Sequence, residues 1–384
     1  MLKWLRRIVV VLVLIAVGGW IWKGEELKRL LAVNSLFSEE KIVDNFSNME
    51  TMFLSTSLSG SGEVSDLPRG AEVTLPDGVS DWLESRSATA LVVLKNGEIV
   101  FEDYYQGTTA EDRRISWSMA KSWLSALFGI LLEDGAIASI DVPVTQYVPA
   151  LEGSAYDGAT IKDVLQMSSG VVFDEDYLDY DSDINKMGRV LALGGSMDEF
   201  AAGLTETYAA PGDAWQYVSI DTHILGMVVR GATGRDLADL LSEKIAVPMG
   251  LEQDPYYLTD GYGVAFALGG LNMRTRDYAR FGQMFANGGR WNGQQIVPEA
   301  WVAESTAASA RTAAGETGYG YQWWIPVGST DGQYMARGIY DQYTYIDPSR
   351  DVVIVLNSAN RQFREDGVGR ENEAMFRLIA ESLD

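Results

Sequence analysis

The sequence predicts a mixed α/β (α+β) fold, an antiparallel sheet flanked by helices with a mostly helical segment inserted in its middle. Three observations carry this. Asn96-Gly97 joins two runs rich in β-branched and aromatic residues, Thr89–Lys95 and Glu98–Tyr105, and Asn-Gly is the preferred two-residue hairpin turn because both positions take positive φ. Four further runs of this kind follow one another between Tyr319 and Leu356. Between the two groups, apolar residues recur at helical spacing, with Gly and Pro as separators. The early hairpin and the late strands are then expected in one sheet.

Taken in order, residues 1–23 are a basic start followed by an unbroken apolar run, Ile8–Trp22. That length suits the h-region of a signal peptide or a short spanning helix. The anchor is favoured, because the one small-residue cleavage site, Ala16-Val17-Gly18, falls inside the run, and Trp20 and Trp22 beside Lys23 form an interfacial belt. Arg6 and Arg7 would stay in the cytoplasm, leaving the body outside the inner membrane in the periplasm. Residues 24–70 form a helical linker region, with helices expected at Glu25–Leu36 and Lys41–Phe53 and a Ser/Gly-rich connector at Ser55–Gly62. Residues 71–384 make the main domain, its sheet part at 71–135 and 311–384 and its helical insert at 136–310. Insert helices are expected at Ile161–Met167, Met197–Leu204, Asp221–Gly231, Leu237–Ile245 and Asp277–Asn287. Tyr319–Ile325, Tyr334–Ala336, Gln342–Ile346 and Val352–Leu356 read as antiparallel strands, and Glu371–Leu383 closes the chain as an amphipathic helix. No internal repeat is present.

Composition removes several chemistries. Without Cys there are no disulfides, thiolate nucleophiles or cysteine-bound metals. A single histidine, His223, rules out zinc sites built on two or three imidazoles. It sits on the expected buried side of a helix, in YVSIDTHILGMVV, which suits a structural role better than a general base. A serine enzyme made from this chain would use Lys and Tyr instead. The net charge is −24; beyond the first 23 residues, 26 basic residues face 54 acidic ones, a net −28. Such a body is repelled by nucleic acid and by anionic surfaces, so no nucleic-acid partner is expected.

Chemistry gathers around Ile115–Gly135, ISWSMAKSWLSALFGILLEDG. Read as a helix, its first turn carries Ser118 and Lys121, three apart and so on one face. The positive helix end favours negative charge on the serine oxygen, and a desolvated lysine that sheds its proton can serve as base. S-x-x-K alone is short enough to arise by chance as a cap followed by a surface lysine. Further stretches accompany it: Trp215-Gln216-Tyr217-Val218-Ser219 after the Pro211-Gly212-Asp213 turn, and Leu165 to Gly170 followed by Phe173-Asp174-Glu175-Asp176-Tyr177. Gly269 to Asn272, Asp277 to Gly282, Trp323-Trp324 and Met335-Ala336-Arg337-Gly338-Ile339-Tyr340-Asp341-Gln342 complete the set.

Together, in order and spacing from about Thr89 to Asn357, these stretches resemble the class C β-lactamase-like serine hydrolases, specifically the 6-aminohexanoate-dimer hydrolase-like branch. The resemblance implies the β-lactamase/transpeptidase-like fold with its active site in the cleft between sheet and insert. It implies an acyl-enzyme on Ser118, formed from a small-molecule amide or ester without a cofactor. Lys121 would hold or remove the serine proton, and Tyr217 would act as general base and acid. The backbone N–H groups of Ser118 and Ile339 would form the oxyanion hole. Tyr177, Ser219, Arg337, Gly338 and Trp324 would contact substrate. The family's Lys-Thr-Gly or His-x-Gly triplet is replaced here by Ala336-Arg337-Gly338. That removes the cation that binds a β-lactam carboxylate, and strand alternation turns Arg337 to the other face. Weak β-lactamase activity at best is expected. A D-alanyl-D-alanine carboxypeptidase or transpeptidase is the alternative on the same fold, and a scaffold without turnover is a third. Natural substrate and oligomeric state are not set by these residues.

Overall fold

The computed structural model describes residues 2–58, 62–329 and 332–384, with the side chains of residues 2, 3 and 9–22 outside the described set. A seven-stranded antiparallel sheet runs in the order Glu98–Tyr104, Ala88–Lys95, Val352–Ser358, Gln342–Asp347, Tyr334–Gly338, Trp324–Ile325, Gly318–Tyr319. Asn96 (φ 53) and Gly97 (φ 78) close the first hairpin, as their residue types require. Early and late strands share one sheet because Ala88–Lys95 pairs with Val352–Ser358. Both of these strands are buried along their length, which accounts for their nearly unbroken apolar runs.

Alternation sends Leu91, Val93, Ile354 and Leu356 to one face, against Trp82 and Phe376. These come from helices Val79–Ser85 and Val368–Glu381. Val92, Leu94, Val353 and Val355 face the other way into the main core, where the Thr275–Ala286 helix lies on the sheet. Its Gly282 permits that approach, since a Cβ there would stand 2.6 Å from Val353 Cγ1. The buried Ala120–Glu133 helix packs beyond it, with Trp123 stacked on Phe281 at 4.1 Å. Insert helices Ile161–Leu165, Met197–Ala202, Ser219–Thr233 and Leu237–Leu241 occupy the expected stretches.

Several local expectations change. Tyr319–Ile325 is two short strands, because Gln322 (φ 64) turns the chain back so that Trp324 pairs with Tyr319. Lys41–Phe53 is not one helix but two short turns, Ile42–Asn45 and Met49–Thr51. The Asn45 amide there donates to Ser35 O (3.2 Å) and Leu36 O (3.0 Å) instead. The Ser55–Gly62 connector supplies a strand, Ser55–Ser57, to a second sheet with Tyr256–Leu258, Leu271–Arg274 and Arg113–Ile115. An unexpected helix, Asp183–Leu193, starts at Ser182, whose Oγ accepts from Asn185 N, and stops at Gly194 in the left-handed region.

At the N-terminus a single helix, Leu2–Ser35, absorbs the expected Glu25–Leu36 helix. Among the described residues no helix is long and apolar enough to cross a membrane. The expected anchor in residues 1–23 rests mainly on positions 9–22, which lie outside the described side chains.

Candidate active site

The strand Arg113–Ile115 leads into a 3-10 turn, Trp117–Met119, and then into the Ala120–Glu133 helix. Ser118 therefore stands on a tight turn ahead of the helix, while Lys121 belongs to its first turn. Ser116 N donates to Leu271 O at 2.8 Å, which ties the turn to the second sheet. Trp117 has φ 43. A non-glycine residue held there costs about 1–3 kcal/mol and persists only where its surroundings fix it. Here the indole is clamped by Phe46 (centroids 5.5 Å), Phe37 (5.7 Å) and Tyr340 (6.4 Å).

Lys121 is buried, and its amine donates to Leu268 O at 2.8 Å, Ser118 Oγ at 3.1 Å and Ser219 Oγ at 3.4 Å. Burial pushes its pKa down to about 7, opposed by the negative charges of Glu175 and Asp221. No carboxylate stands at ion-pairing distance from it among the described residues. The Lys121 amine lies 5.4 Å from the centre of the Tyr217 ring. Burial, reinforced by the charge of Glu175, holds the Tyr217 phenol's pKa well above the ordinary value, against the opposing pull of the Ser118 and Ser219 hydroxyls. Burial thus works against a phenolate at Tyr217 and in favour of a neutral amine at Lys121.

Glu175 organises this cluster, although the sequence pointed only to the tyrosine two residues after it. One carboxylate oxygen accepts from Ser219 N at 3.0 Å. The other accepts from the Ser219 hydroxyl and from Tyr177 OH, the latter at 2.6 Å. An acid at the start of the Ser219–Thr233 helix also suits its exposed N–H groups. The available signal was a requirement for charge balance, since a buried lysine needs a nearby acid.

The strand Tyr334–Gly338 ends against the nucleophile turn. A Cβ at Gly338 would stand 2.6 Å from Ser116 O and 3.0 Å from Ser118 N, so only glycine lets the strand edge come this close. Ile339 begins the three-residue loop that returns to Gln342, with Tyr340 (φ 59) and Asp341 (φ 61) both left-handed. Asn360 Nδ2 donates to Asp341 Oδ2 at 2.6 Å, and Gln342 Nε2 to Tyr340 O at 2.9 Å. Phe37 stacks on Tyr340 at 4.8 Å.

The structure thus brings Ser118, Lys121, Tyr217, Ser219, Tyr177, Gly338 and Ile339 to one cleft. Trp324 stands beside Tyr217, ring centres 5.2 Å apart. Arg337 is different. Its guanidinium lies over Trp324 (5.5 Å) and Tyr343 (5.7 Å) and against Gly369, on the face that alternation assigns it. No hydrogen bond joins it to Ser118, Lys121 or Tyr217 among the described residues. His223 is also elsewhere, its Nε2 2.8 Å from Asp198 Oδ1, in a cluster completed by Arg230. No group of acids and His able to hold a metal occurs among the described residues. An amine near neutrality and the serine hydroxyl beside it can together add an oxygen to an acyl carbon.

Comparison with known proteins agrees with this fold. The family model described as "Beta-lactamase" matches residues 80–377. A 6-aminohexanoate-dimer hydrolase of Paenarthrobacter ureafaciens is 32% identical over 299 residues, 74% of this chain and 76% of that protein. The fold is similar to that of a Bacillus anthracis protein provisionally named a 6-aminohexanoate-dimer hydrolase. That structure has a TM-score of 0.81 and 25% identity, covering 91% of this chain and 96% of the other. A penicillin-binding protein homologue from Pyrococcus abyssi shares the fold, with a TM-score of 0.60 at 17% identity over 78% of this chain and 76% of that one.

Proposed function

Because the chain belongs to the β-lactamase family of serine hydrolases acting on amides, we propose that it cleaves a small carboxylic amide or ester through an acyl-enzyme on Ser118. Neutral Lys121 accepts the Ser118 proton as Oγ adds to the acyl carbon. The Ser118 and Ile339 N–H groups receive the oxyanion, and Tyr217 relays the proton from Lys121 to the departing amine or alcohol. Water then attacks the ester on Ser118, and its proton returns through the same groups to the serine oxygen. Glu175 acts as a positioning residue, fixing Ser219 and Tyr177 around the amine.

One observation carries this reading: a buried amine with its pKa pushed down to about 7, hydrogen-bonded to Ser118 Oγ at 3.1 Å. An N-acylated 6-aminohexanoate, which keeps the leaving half of the dimer named for the Paenarthrobacter relative, is one amide to try. A cell-wall carboxypeptidase is less well supported. Ala336 carries no charge, and Arg337 lies over the opposite face. The basic start and the Ile8–Trp22 run support an N-terminal anchor with the hydrolase body outside the inner membrane.

The test is turnover of short-chain p-nitrophenyl esters and anilides. Ser118→Ala and Lys121→Ala should each lose roughly 10³-fold or more, and Tyr217→Phe ~10²–10⁴-fold. Intact-mass spectra of the native enzyme should show one acyl adduct, mapping to Ser118. Undiminished turnover by Ser118→Ala would remove the proposal.

A further inference from the structure

We propose that the acyl group this enzyme accepts is a short, uncharged hydrocarbon chain, and that the N-terminal segment sets its length. This rests on the Ser118 acyl-enzyme proposed above and specifies what the serine is acylated with. A cavity of about 110 Å³ opens beside Ser118, Ser219 and Ile339. Val33, Phe37, Phe53, Ile184, Met187 and Phe266 are among the apolar residues that line it, and none of its lining residues carries a charge. An ammonium or carboxylate placed there would be desolvated without a counter-charge in the wall, whereas methylenes gain by leaving water.

Size narrows the choice. At about 110 Å³ the cavity is smaller than the ~150 Å³ apolar cavity that accepts benzene. A tail of about three to five carbons beyond the carbonyl fills it. Position identifies the half of the substrate. Tyr217, which hands a proton to the leaving group, does not line the cavity but faces Trp324 and Tyr319 at ring distances of 5.2 and 6.3 Å. The cavity is therefore on the acyl side.

Its outer wall comes from outside the family match, which begins at residue 80. Val33 lies in the last turn of the Leu2–Ser35 helix, and Leu36 and Phe37 follow it. Three contacts fix this wall relative to the nucleophile: Arg29 Nε to Ala192 O at 2.8 Å, Asn45 Nδ2 to Leu36 O at 3.0 Å, and the Phe37–Tyr340 stack at 4.8 Å.

The experiment is a kcat/KM series on the full chain with p-nitrophenyl esters from acetyl to dodecanoyl, plus esters of matched length ending in an ammonium. Each buried methylene should raise kcat/KM by about fourfold. The expected profile climbs roughly tenfold or more from acetyl to butanoyl, peaks by hexanoyl and falls beyond it. The ammonium-ended esters should be at least 100-fold poorer than their neutral counterparts. Phe37→Ala should move the peak to longer chains. Gly188→Leu should move it to shorter ones, because Gly188 lines the cavity and a Cβ there meets nothing within 4 Å. The glycine variant needs no space made for its Cβ, and it keeps the test open if Phe37→Ala does not fold. A flat length profile, equal turnover of ammonium-ended esters, or a peak unmoved by both variants overturns the proposal while leaving Ser118-dependent turnover standing. Absence of Ser118-dependent turnover on every ester removes both.

Discussion

Lys121 shows what burial does to a single side chain. Desolvation lowers its pKa from 10.5 to about 7, against the opposing pull of Glu175 and Asp221. The amine is thus neutral and able to accept a proton above about pH 7. The folded chain then holds fewer protons than the unfolded one from about pH 7 to 10.5, so this group's cost to stability is full below that window and is relieved as pH rises through it. For the free enzyme, kcat/KM should climb with pH through about 7. Glu175→Gln should shift that climb to lower pH, because the carboxylate's charge is one of the forces retaining the lysine proton. A pH–rate profile of both proteins measures this; an unmoved acid limb would separate Glu175 from the lysine. Asp221 is displaced the other way, its pKa raised from 3.8 to about 8 by burial while Tyr156 and Ser169 each donate to it at 2.8 Å. Close to its titration point at neutral pH, it pulls on the lysine proton less than a full carboxylate would.

At the level of elements, the close approach of the Tyr334–Gly338 strand to the nucleophile turn depends on one missing methyl. Gly338→Ala would put Cβ 2.6 Å from Ser116 O. The strand end must then retreat from the Ser118 N–H, with an expected loss in kcat of ~10²–10³, the usual scale for losing one oxyanion donor. Steady-state kinetics beside a thermal melt would check it, a full kcat with a normal melt being the contrary result. Elements of this kind were legible where their signal is local. Asn96-Gly97 fixes its own hairpin, and the apolar runs of Leu91–Leu94 and Val352–Leu356 declare strands covered on both faces. What stayed hidden depends on distant partners. The Ser55–Ser57 strand is three residues long and acquires meaning only from Tyr256–Leu258, some two hundred positions on. Glu175 sits in an acidic loop, and only the fold turns it, rather than Asp174 or Asp176, toward the start of the Ser219–Thr233 helix. Arg337 was legible to the extent that strand alternation predicts its face.

For the molecule as a whole, charge and the N-terminal helix have to be considered together. The acidic body is repelled by anionic lipid, so the proposed attachment to a membrane has to come from the first 23 residues and not from surface electrostatics. The full chain should therefore remain in the membrane fraction through a high-salt or carbonate wash, and deletion of residues 1–23 should release it; recovery of the washed full chain in the supernatant would refute the anchor. The helix that begins in that segment continues without a break to Ser35, and two residues later Phe37 stacks on the loop that carries Ile339. Trimming an expression clone to the family's borders would thus discard one side of the binding chamber. The shortened enzyme would keep its serine, lysine and tyrosine but lose its ruler for chain length, and a substrate screen run on it would describe a different catalyst.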